Sequence, residues 1–305
     1  MRYDKRPFSI PEQAARLVQR GLLCDDIERL EKYLANIGYY RLSAYWHPFE
    51  LPSTNGTSRN HNFQPNITFD KVLNLYIFDR KLRLLVMEAM ERIEVAVRTR
   101  WATALAMRHG SHAFMKPELF KDRSKHTIDL EKINADLAGS NETFVVHYRT
   151  QYDDPPLPPV WAIVETMTLG TLSRWFRNTA DTASKKEVIQ ALQMPTIEIL
   201  EQVLHTLTPV RNICAHHGRL WNRRLPMSLP VIRRLQGSLV PPDAPDRQSH
   251  YLYNYLVVLS ALMAAINPGS TWTMRTKAFV ETLDDLDRRS MGFPADWRNR
   301  APWRE

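Results

Sequence analysis

Glycine and cysteine are scarce in this chain of 305 residues, which has 10 glycines and 2 cysteines. Rossmann and P-loop proteins, and all-β proteins with many tight turns, use more glycine than this, so a helical protein is favoured. Cys24 and Cys214 lie far apart in a long chain, which argues against a disulfide scaffold. The sequence has no CxxC pair to indicate zinc or redox chemistry.

Long apolar runs are also missing. The segment MRYDKRPFSIPEQ at the start has no apolar core, so no signal peptide is expected. The most apolar stretch, Tyr251 to Ile266, is shorter than the roughly 20 residues that span a bilayer, and it contains Asn254. We therefore expect a buried helix there, no membrane partner, and a reduced, cytoplasmic protein.

The charge balance is positive, with 41 Lys and Arg against 33 Asp and Glu, a formal net charge of +8. With 44% hydrophobic and 24% charged residues, the composition is that of a globular protein. Positive charge is compatible with a polyanionic partner such as RNA, although many basic proteins bind nothing acidic. No run of consecutive Lys or Arg forms a basic tail.

Helix signals dominate the chain, and no segment shows sustained β alternation, so the predicted class is all-α. Ser9 and Glu12 have the spacing of a capping box, and Gly21 is expected to end the helix that they begin. The strongest pattern runs from Phe69 to Arg108. Its apolar residues recur every three or four positions and predict a central bundle helix; they are Leu82, Leu85, Val86, Ala89, Met90, Ile93, Ala96 and Val97.

The other elements are expected from weaker signals. Further helices are expected over 25–36, 169–178, 182–192, 196–207, 250–266 and 272–289, whereas 39–48 is expected to be irregular. The prolines of 153–159 predict a stiff connector rather than a ligand for a partner domain. We expect three segments: N-terminal helices with an aromatic loop at 1–68, a core at 69–225 and a C-terminal helical extension at 226–305.

The most informative stretch is TPVRNICAHHGRLWNRR at 208–224. Thr208 and Pro209 are typical of the first positions of a helix, and Gly218 is typical of its end. That start would place Arg211 in the first turn, where free N–H groups and the helix dipole favour an anion. Asn212 and His216 are four residues apart and share a face, and Arg211 lies about 140° around the helix from His216.

These residue types suit the cleavage of RNA by its own 2′-hydroxyl. The reaction needs a base, an acid and a cation over the phosphorus, and it requires no metal or cofactor. Histidine performs such proton transfers and contributes about 10² to 10⁴-fold in rate. Arginine holds phosphate bidentately, and asparagine can orient either group. Since one His216 supplies one proton-transfer role, a symmetric homodimer would complete the site.

Structural explanations compete with this one. An Arg five residues before a His is common by chance, and Arg211 can equally pair with an acidic residue of the 88–94 segment. Cys214 and His217 have metal-ligand spacing, but no other ligands are identifiable. Glu88, Glu91, Glu94 and Arg98 on the long helix are candidates for orienting Arg211. The favoured alternative is a solvated face with Glu88–Arg92 and Glu94–Arg98 pairs.

Candidate RNA-binding residues lie in two places. Arg219, Arg223 and Arg224 continue the positive charge beyond the motif. Arg41 lies among aromatic side chains that could stack bases, namely Tyr39, Tyr40, Tyr45 and Trp46. Such a cluster more often belongs to a core, which is the favoured interpretation here.

The segment VRNICAHHGRLWNR resembles the RNxxxH signature of the HEPN-superfamily ribonucleases, in the form found in Abi-like (AbiD/AbiF-type) abortive-infection proteins. Other parts of the chain resemble the same family in the same order; they are NIGYYRLSAYWHPF, LYIFDRKLRLLVMEAMERIEVAVRTR and TLGTLSRWF. The resemblance covers about residues 8–225. It implies a HEPN-type helical bundle with additional N- and C-terminal helices.

The resemblance also implies an activity. Members of this family are expected to be metal-independent endoribonucleases that act as dimers in phage defence, and some are associated with small non-coding RNAs. By position, Arg211, Asn212 and His216 match the motif, and His217 matches the doubled histidine of the Abi-like form. An RNA-cleaving toxin and a non-catalytic scaffold for a structured RNA are both compatible with it. The intact motif favours the enzyme, because a scaffold has no need of the His, while a purely structural bundle leaves the motif unexplained.

Overall fold

A computed structural model describes residues 6–52 and 60–304. In that part of the chain, β pairing is confined to isolated bridges, so the all-α prediction is confirmed. The helices are α1 (Ile10–Gln19), α2 (Ile27–Ile37), α3 (Tyr39–Trp46), α4 (Phe69–His109), α5 (Arg123–Ala138), α6 (Thr143–Gln151), α7 (Val160–Ile163), α8 (Leu169–Asn178), α9 (Thr182–Ala191), α10 (Ile197–Ala215), α11 (Leu252–Ile266), α12 (Trp272–Glu281) and α13 (Asp285–Arg289).

The chain forms two compact units, one up to Leu82 and one from Arg83 onward. This division describes compactness alone, and the three segments expected from the sequence stay a prediction. No helix within the described ranges is both long enough and apolar enough to cross a membrane.

The first unit contains the capping box predicted at the start of α1. The Ser9 amide donates to Glu12 Oε2 at 2.7 Å, and the Glu12 amide donates to Ser9 Oγ at 3.4 Å. The expectation that 39–48 is irregular is wrong, because α3 occupies most of it. Gly38 has φ 90° and ends α2, and α3 then buries Leu42, Tyr45 and Trp46. Tyr45 and Trp46 are therefore core residues, as favoured, whereas the core interpretation is wrong for Tyr40, which is 92% exposed.

The second unit is built on the apolar face of α4. Val86, Ala89, Met90, Ile93 and Val97 have no exposed surface, as the spacing predicted. The apolar stretch near the end of the chain forms α11, which is buried over most of its length. The side chain of its Asn254 forms two hydrogen bonds with the backbone of Val240. Asn254 Oδ1 accepts from the Val240 N–H, and Asn254 Nδ2 donates to the Val240 carbonyl, both at 2.8 Å, so the polar group is satisfied within the core.

Two stretches of this unit differ from the sequence prediction. Helices α5 and α6 were not predicted, because neither has a strong apolar stripe. The helix expected over 272–289 is two helices, because the Asp284 side chain accepts a hydrogen bond from the Asp287 amide at 2.8 Å and begins α13.

Helix α10 is continuous through the position where a new helix was predicted. It begins after the N-cap Thr196 and contains Pro209 in its interior, so the predicted start at Thr208 is wrong. Thr208 does not cap. Its hydroxyl donates to the Leu204 carbonyl at 2.9 Å. An interior proline costs about 3 kcal/mol, which the burial of the apolar side of α10 offsets at about 1.5–3 kcal/mol per large side chain.

The glycine of the TLGTLSRWF segment explains how α8 and α10 meet at this point. A Cβ atom on Gly170 would lie 3.1 Å from Thr208 Cγ2, closer than ordinary van der Waals contact. Gly170 on α8 thus allows a close approach to α10 immediately before the motif residues.

Candidate active site

The motif residues lie at the C-terminal end of α10. Arg211 is four residues before the last helical residue, Ala215, and is not in a first turn. The helix dipole at this end is negative and favours cations, so the predicted contribution of the helix N-terminus to anion binding is wrong. A phosphate in this region has to be held by side chains.

Asn212 and His216 share a face, as their spacing predicted. The His216 amide donates to the Asn212 carbonyl at 2.9 Å, so the helical register continues through His216. Both side chains are exposed. Within the described part of the chain, neither side chain has a hydrogen-bond or ion-pair partner, so both are available to a substrate.

The helix ends in a Schellman motif formed by the doubled histidine. The His217 amide donates to the Cys214 carbonyl at 3.1 Å, and the Gly218 amide donates to the Ile213 carbonyl at 2.7 Å. His217 has φ 57°, in the left-handed region that glycine normally occupies and that costs other residues about 1–2 kcal/mol. The predicted end at Gly218 is correct within three residues, but the left-handed residue is His217.

Arg211 is held by Glu94 of α4. Its Nε lies 3.5 Å from Glu94 Oε2 and is buried without a hydrogen bond, while its two Nη atoms have access to solvent. Glu94 is 5% exposed, and the Arg211 side chain is 26% exposed. The sequence also predicted, as an alternative, that Arg211 pairs with an acidic residue of the 88–94 segment. The Arg211–Glu94 ion pair confirms this contact, and the pair leaves the two Nη atoms of Arg211 open.

Glu94 also binds a second arginine. Arg98 donates to the Glu94 carboxylate and to the carbonyl of Met167, and its Nη1 lies 3.8 Å from Glu165 Oε2. One buried carboxylate thus holds two guanidinium groups, which stabilises the position of each.

The i,i+4 pairs predicted on α4 are present, with Arg92 Nη2 3.3 Å from Glu88 Oε1 and Arg98 bound to Glu94. The solvated face predicted for all of these residues is wrong at Glu94, which is buried. The sequence contains a signal for this, because Glu94 has the three- and four-residue spacing to the buried Met90 and Val97.

A surface groove of about 500 Å³ lies beside this pair. Arg211 and Glu94 line it together with Glu91 and apolar side chains of α4, among them Leu84 and Val95. Glu91 is exposed in the groove, and the carboxylate that contacts Arg211 belongs to Glu94. A role for Glu91 stays a prediction.

Residues 32–222 match the family model described as Abi-like protein. The chain belongs to this family. The match includes the motif from Arg211 to His216, and the expected C-terminal extension at 226–305 lies outside it. No match is found among curated proteins or among solved structures.

The basic residues that follow the motif in this Abi-like protein differ in exposure. Arg223 and Arg224 are exposed, whereas Arg219 is half-buried, and Arg223 Nη1 donates to the Arg219 carbonyl at 3.4 Å. Arg41 is half-buried on α3. RNA binding by these four residues stays a prediction.

Cys214 and His217, which have metal-ligand spacing in the sequence, have no further ligands beside them in the described part of the chain. Cys214 is buried on α10 and His217 is exposed beyond its end. In residues 6–52 and 60–304 of the Abi-like protein, no group of three or more His, Cys, Asp or Glu side chains could hold a metal ion.

Proposed function

We propose that this Abi-like protein is an endoribonuclease of the HEPN superfamily and an effector of abortive infection, the defence of a cell against phage. One observation carries the proposal. Buried Glu94 holds Arg211 with its terminal nitrogens open, and Asn212 and His216 on the same helix end are exposed and have no partner among the described residues. Phosphodiester cleavage needs a cation that binds the phosphate and an imidazole that transfers protons, and this helix end carries both groups.

The proposed reaction uses the 2′-hydroxyl of the RNA as the nucleophile. His216 accepts the proton of that hydroxyl as the 2′-oxygen bonds to phosphorus, or donates a proton to the 5′-oxygen as its bond to phosphorus breaks. Arg211 donates hydrogen bonds to the phosphate oxygens as negative charge builds up on them. The products are a 2′,3′-cyclic phosphate and a 5′-hydroxyl, and no metal-activated water takes part.

A homodimer completes this mechanism. Each chain contributes one His216, and the reaction has one base role and one acid role. Two α10 ends facing each other across a twofold axis would place an imidazole on each side of one phosphate. The dimer would then be part of the site, with neither protomer complete alone.

RNA is also the proposed regulator. The net charge of +8 and the positions of Arg219, Arg223 and Arg224 beside the motif suit a polyanion. A small non-coding RNA bound at this surface would occupy the same site as a substrate strand and restrain cleavage.

The test is cleavage of single-stranded RNA by protein from which bound RNA has been stripped. His216→Ala should lose at least about 10²-fold in rate while keeping its melting temperature and RNA affinity. Arg211→Ala should lose rate and some affinity together, since it contacts phosphate before and during the reaction. Activity should survive EDTA. Full EDTA sensitivity, or products with 5′-phosphates, would contradict the mechanism.

A second candidate is a non-catalytic scaffold for a structured RNA. The Arg211–Glu94 ion pair favours it, because the pair gives Arg211 a structural role without catalysis. The two functions differ in a phage-protection assay. If stripped wild-type protein cleaves no RNA and His216→Ala protects cells as well as wild type does, the scaffold is correct.

A further inference from the structure

The first compact unit has a groove of about 800 Å³ that the proposed reaction does not use. Side chains from α1, from the start of α3 and from the segments that flank them line it. Its lining includes Phe8, Tyr39, Tyr40 and the arginines Arg6, Arg16 and Arg20. All of them belong to the unit that ends at Leu82.

Arg20 forms a fixed part of the groove. Its Nη2 donates to Glu50 Oε1 at 2.6 Å, and its Nη1 donates to the Tyr39 hydroxyl at 2.7 Å. Both members of the Arg20–Glu50 pair are nearly buried. This arginine holds the Tyr39 ring in place, and its charge is already compensated.

Arg16 and Arg6 are placed differently. Both are exposed, and their guanidinium groups lie 5.1 Å and 4.9 Å from the centre of the Phe8 ring. Arg6 also has an exposed ion pair with Glu12 at 3.3 Å, whereas Arg16 has no acidic partner among the described residues. Arg16 therefore gives the groove a positive charge that no carboxylate among the described residues compensates, and this charge complements an anion.

Tyr40 gives the groove an exposed aromatic face. Its side chain is 92% exposed, although it belongs to a helix that is anchored by buried Leu42 and Tyr45. The neighbouring Tyr39 packs its ring edge-on against Trp46, with centroids 5.0 Å apart. An aromatic ring left in water on a fixed backbone, next to arginines, is the arrangement on which unpaired bases stack.

We propose that this groove binds single-stranded RNA, with a base stacked on Tyr40 and backbone phosphates at Arg16 and Arg6. The choice of RNA rests on the proposed function, while the groove itself stands apart from Arg211 and His216 in the sequence and in the division into units. A duplex does not fit this arrangement, because its bases are stacked on one another and cannot reach Tyr40.

Photocrosslinking tests the location. The probe is a short oligouridylate with 5-iodouridine, bound to full-length His216→Ala protein so that the strand stays intact. Stacked iodouridine crosslinks to the aromatic ring beneath it, so mass spectrometry should place an adduct on Tyr40. Tyr40→Ala in the same background should remove that adduct and leave any adduct at residues 211–224 unchanged.

Affinity for the same oligonucleotide tests the contacts. Tyr40→Ala should weaken binding at least about fivefold, and Tyr40→Trp should restore it, because stacking needs only an aromatic face. Arg16→Gln should reduce the magnitude of the log–log salt slope by about 0.7, the value for one phosphate contact to a single strand. The matched controls are Tyr152→Ala and Arg123→Gln, which remove an exposed tyrosine and an exposed arginine of the other unit.

Each outcome decides between the groove and the active site. An adduct on Tyr40, together with wild-type protein that does not cleave RNA, would support the groove and contradict the nuclease. Adducts confined to residues 211–224, with unchanged affinity for Tyr40→Ala, would overturn the groove and leave the nuclease standing. Binding of an acidic peptide but not of the oligonucleotide would overturn it in favour of a protein partner.

Discussion

Arg211 and Glu94 form an ion pair between α10 and α4, whereas Glu91, three residues before Glu94 on the same helix, has no ion pair with Arg211. Both glutamates line the same groove. This difference makes the two residues a matched pair, because the same substitution at each removes one carboxylate from one helix.

Glu94→Gln should lower both the stability and the cleavage rate. It removes the charge that two partly buried arginines share, and unsatisfied buried polar groups cost about 1–3 kcal/mol. Glu91→Gln should change the free energy of unfolding by less than about 0.5 kcal/mol, since Glu91 is exposed. Urea unfolding and the cleavage rate of both variants check this. Equal effects on stability would show that the ion pair has no structural role.

His217 allows a test of the helix end that is independent of RNA. His217→Gly should be more stable than His217→Ala by about 1 kcal/mol, because glycine adopts the left-handed conformation without steric cost. The comparison between the two variants cancels the loss of the imidazole. Equal melting temperatures would mean that residue 217 is not left-handed in solution. If both variants also lose cleavage activity, His217 takes part in the reaction.

The basic cluster should control the salt dependence of RNA binding. Replacing Arg219, Arg223 and Arg224 by Ala should weaken affinity and reduce the magnitude of the log–log salt slope by up to about 2, or about 0.7 per lost phosphate contact. The control variant replaces the exposed cations Arg123, Lys132 and Lys186, so that the net charge is the same. An identical slope for both triple variants would show that only the total charge matters.

Assembly should be visible in solution. We expect light scattering to give twice the mass of the 35.6 kDa chain, because the proposed site needs two His216 side chains. A mixed dimer of one inactive Arg211→Ala chain and one inactive His216→Ala chain should keep one Arg211 and one His216 side chain. A strict monomer, with or without RNA, that still cleaves would exclude the shared site.

The pH dependence of stability should show the burial of Lys185. This side chain is 1% exposed and donates to Glu201 Oε1 at 2.7 Å, and burial lowers its pKa from 10.5 to about 8. Because the folded pKa lies below the unfolded one, the unfolded chain binds more protons between pH 8 and 10.5. Stability should therefore rise by about 2 kcal/mol from pH 8 to pH 10.

Lys185→Met is the control for that titration. The variant should lack the rise between pH 8 and pH 10, while Glu201 keeps Lys121 as a partner at 3.6 Å. Chemical unfolding at several pH values measures the difference between the two proteins. Parallel curves would mean that Lys185 keeps an ordinary pKa in the folded state.

The elements that the sequence predicted well are those for which local signals agree with packing. The bounds of α8 match the predicted 169–178, and the buried face of α4 follows its apolar spacing. The capping box at Ser9 is also local. In each case the residues that set the structure are within one or two turns of one another.

The features that the sequence did not predict depend on contacts between residues far apart in the chain. Thr208 and Pro209 have the local pattern of a helix start, but packing against α8 at Gly170 keeps α10 continuous. The charge of Glu94 predicts a solvated position, whereas its spacing to the buried Met90 and Val97 and its two arginine partners place it in the core. The motif itself was found, because its spacing is local, and its catalytic roles stay predictions until they are measured.

Pro209 has a consequence for the motion of the motif. The proline has no N–H to donate to the His205 carbonyl, so one backbone hydrogen bond is missing within the otherwise continuous α10. The last turn and a half of α10 can then open as a separate cooperative segment while the part before it stays closed. Amide hydrogen exchange should be faster at 213–218 than at 200–207, so that His216 can adjust around a bound strand while Glu94 keeps Arg211 in place.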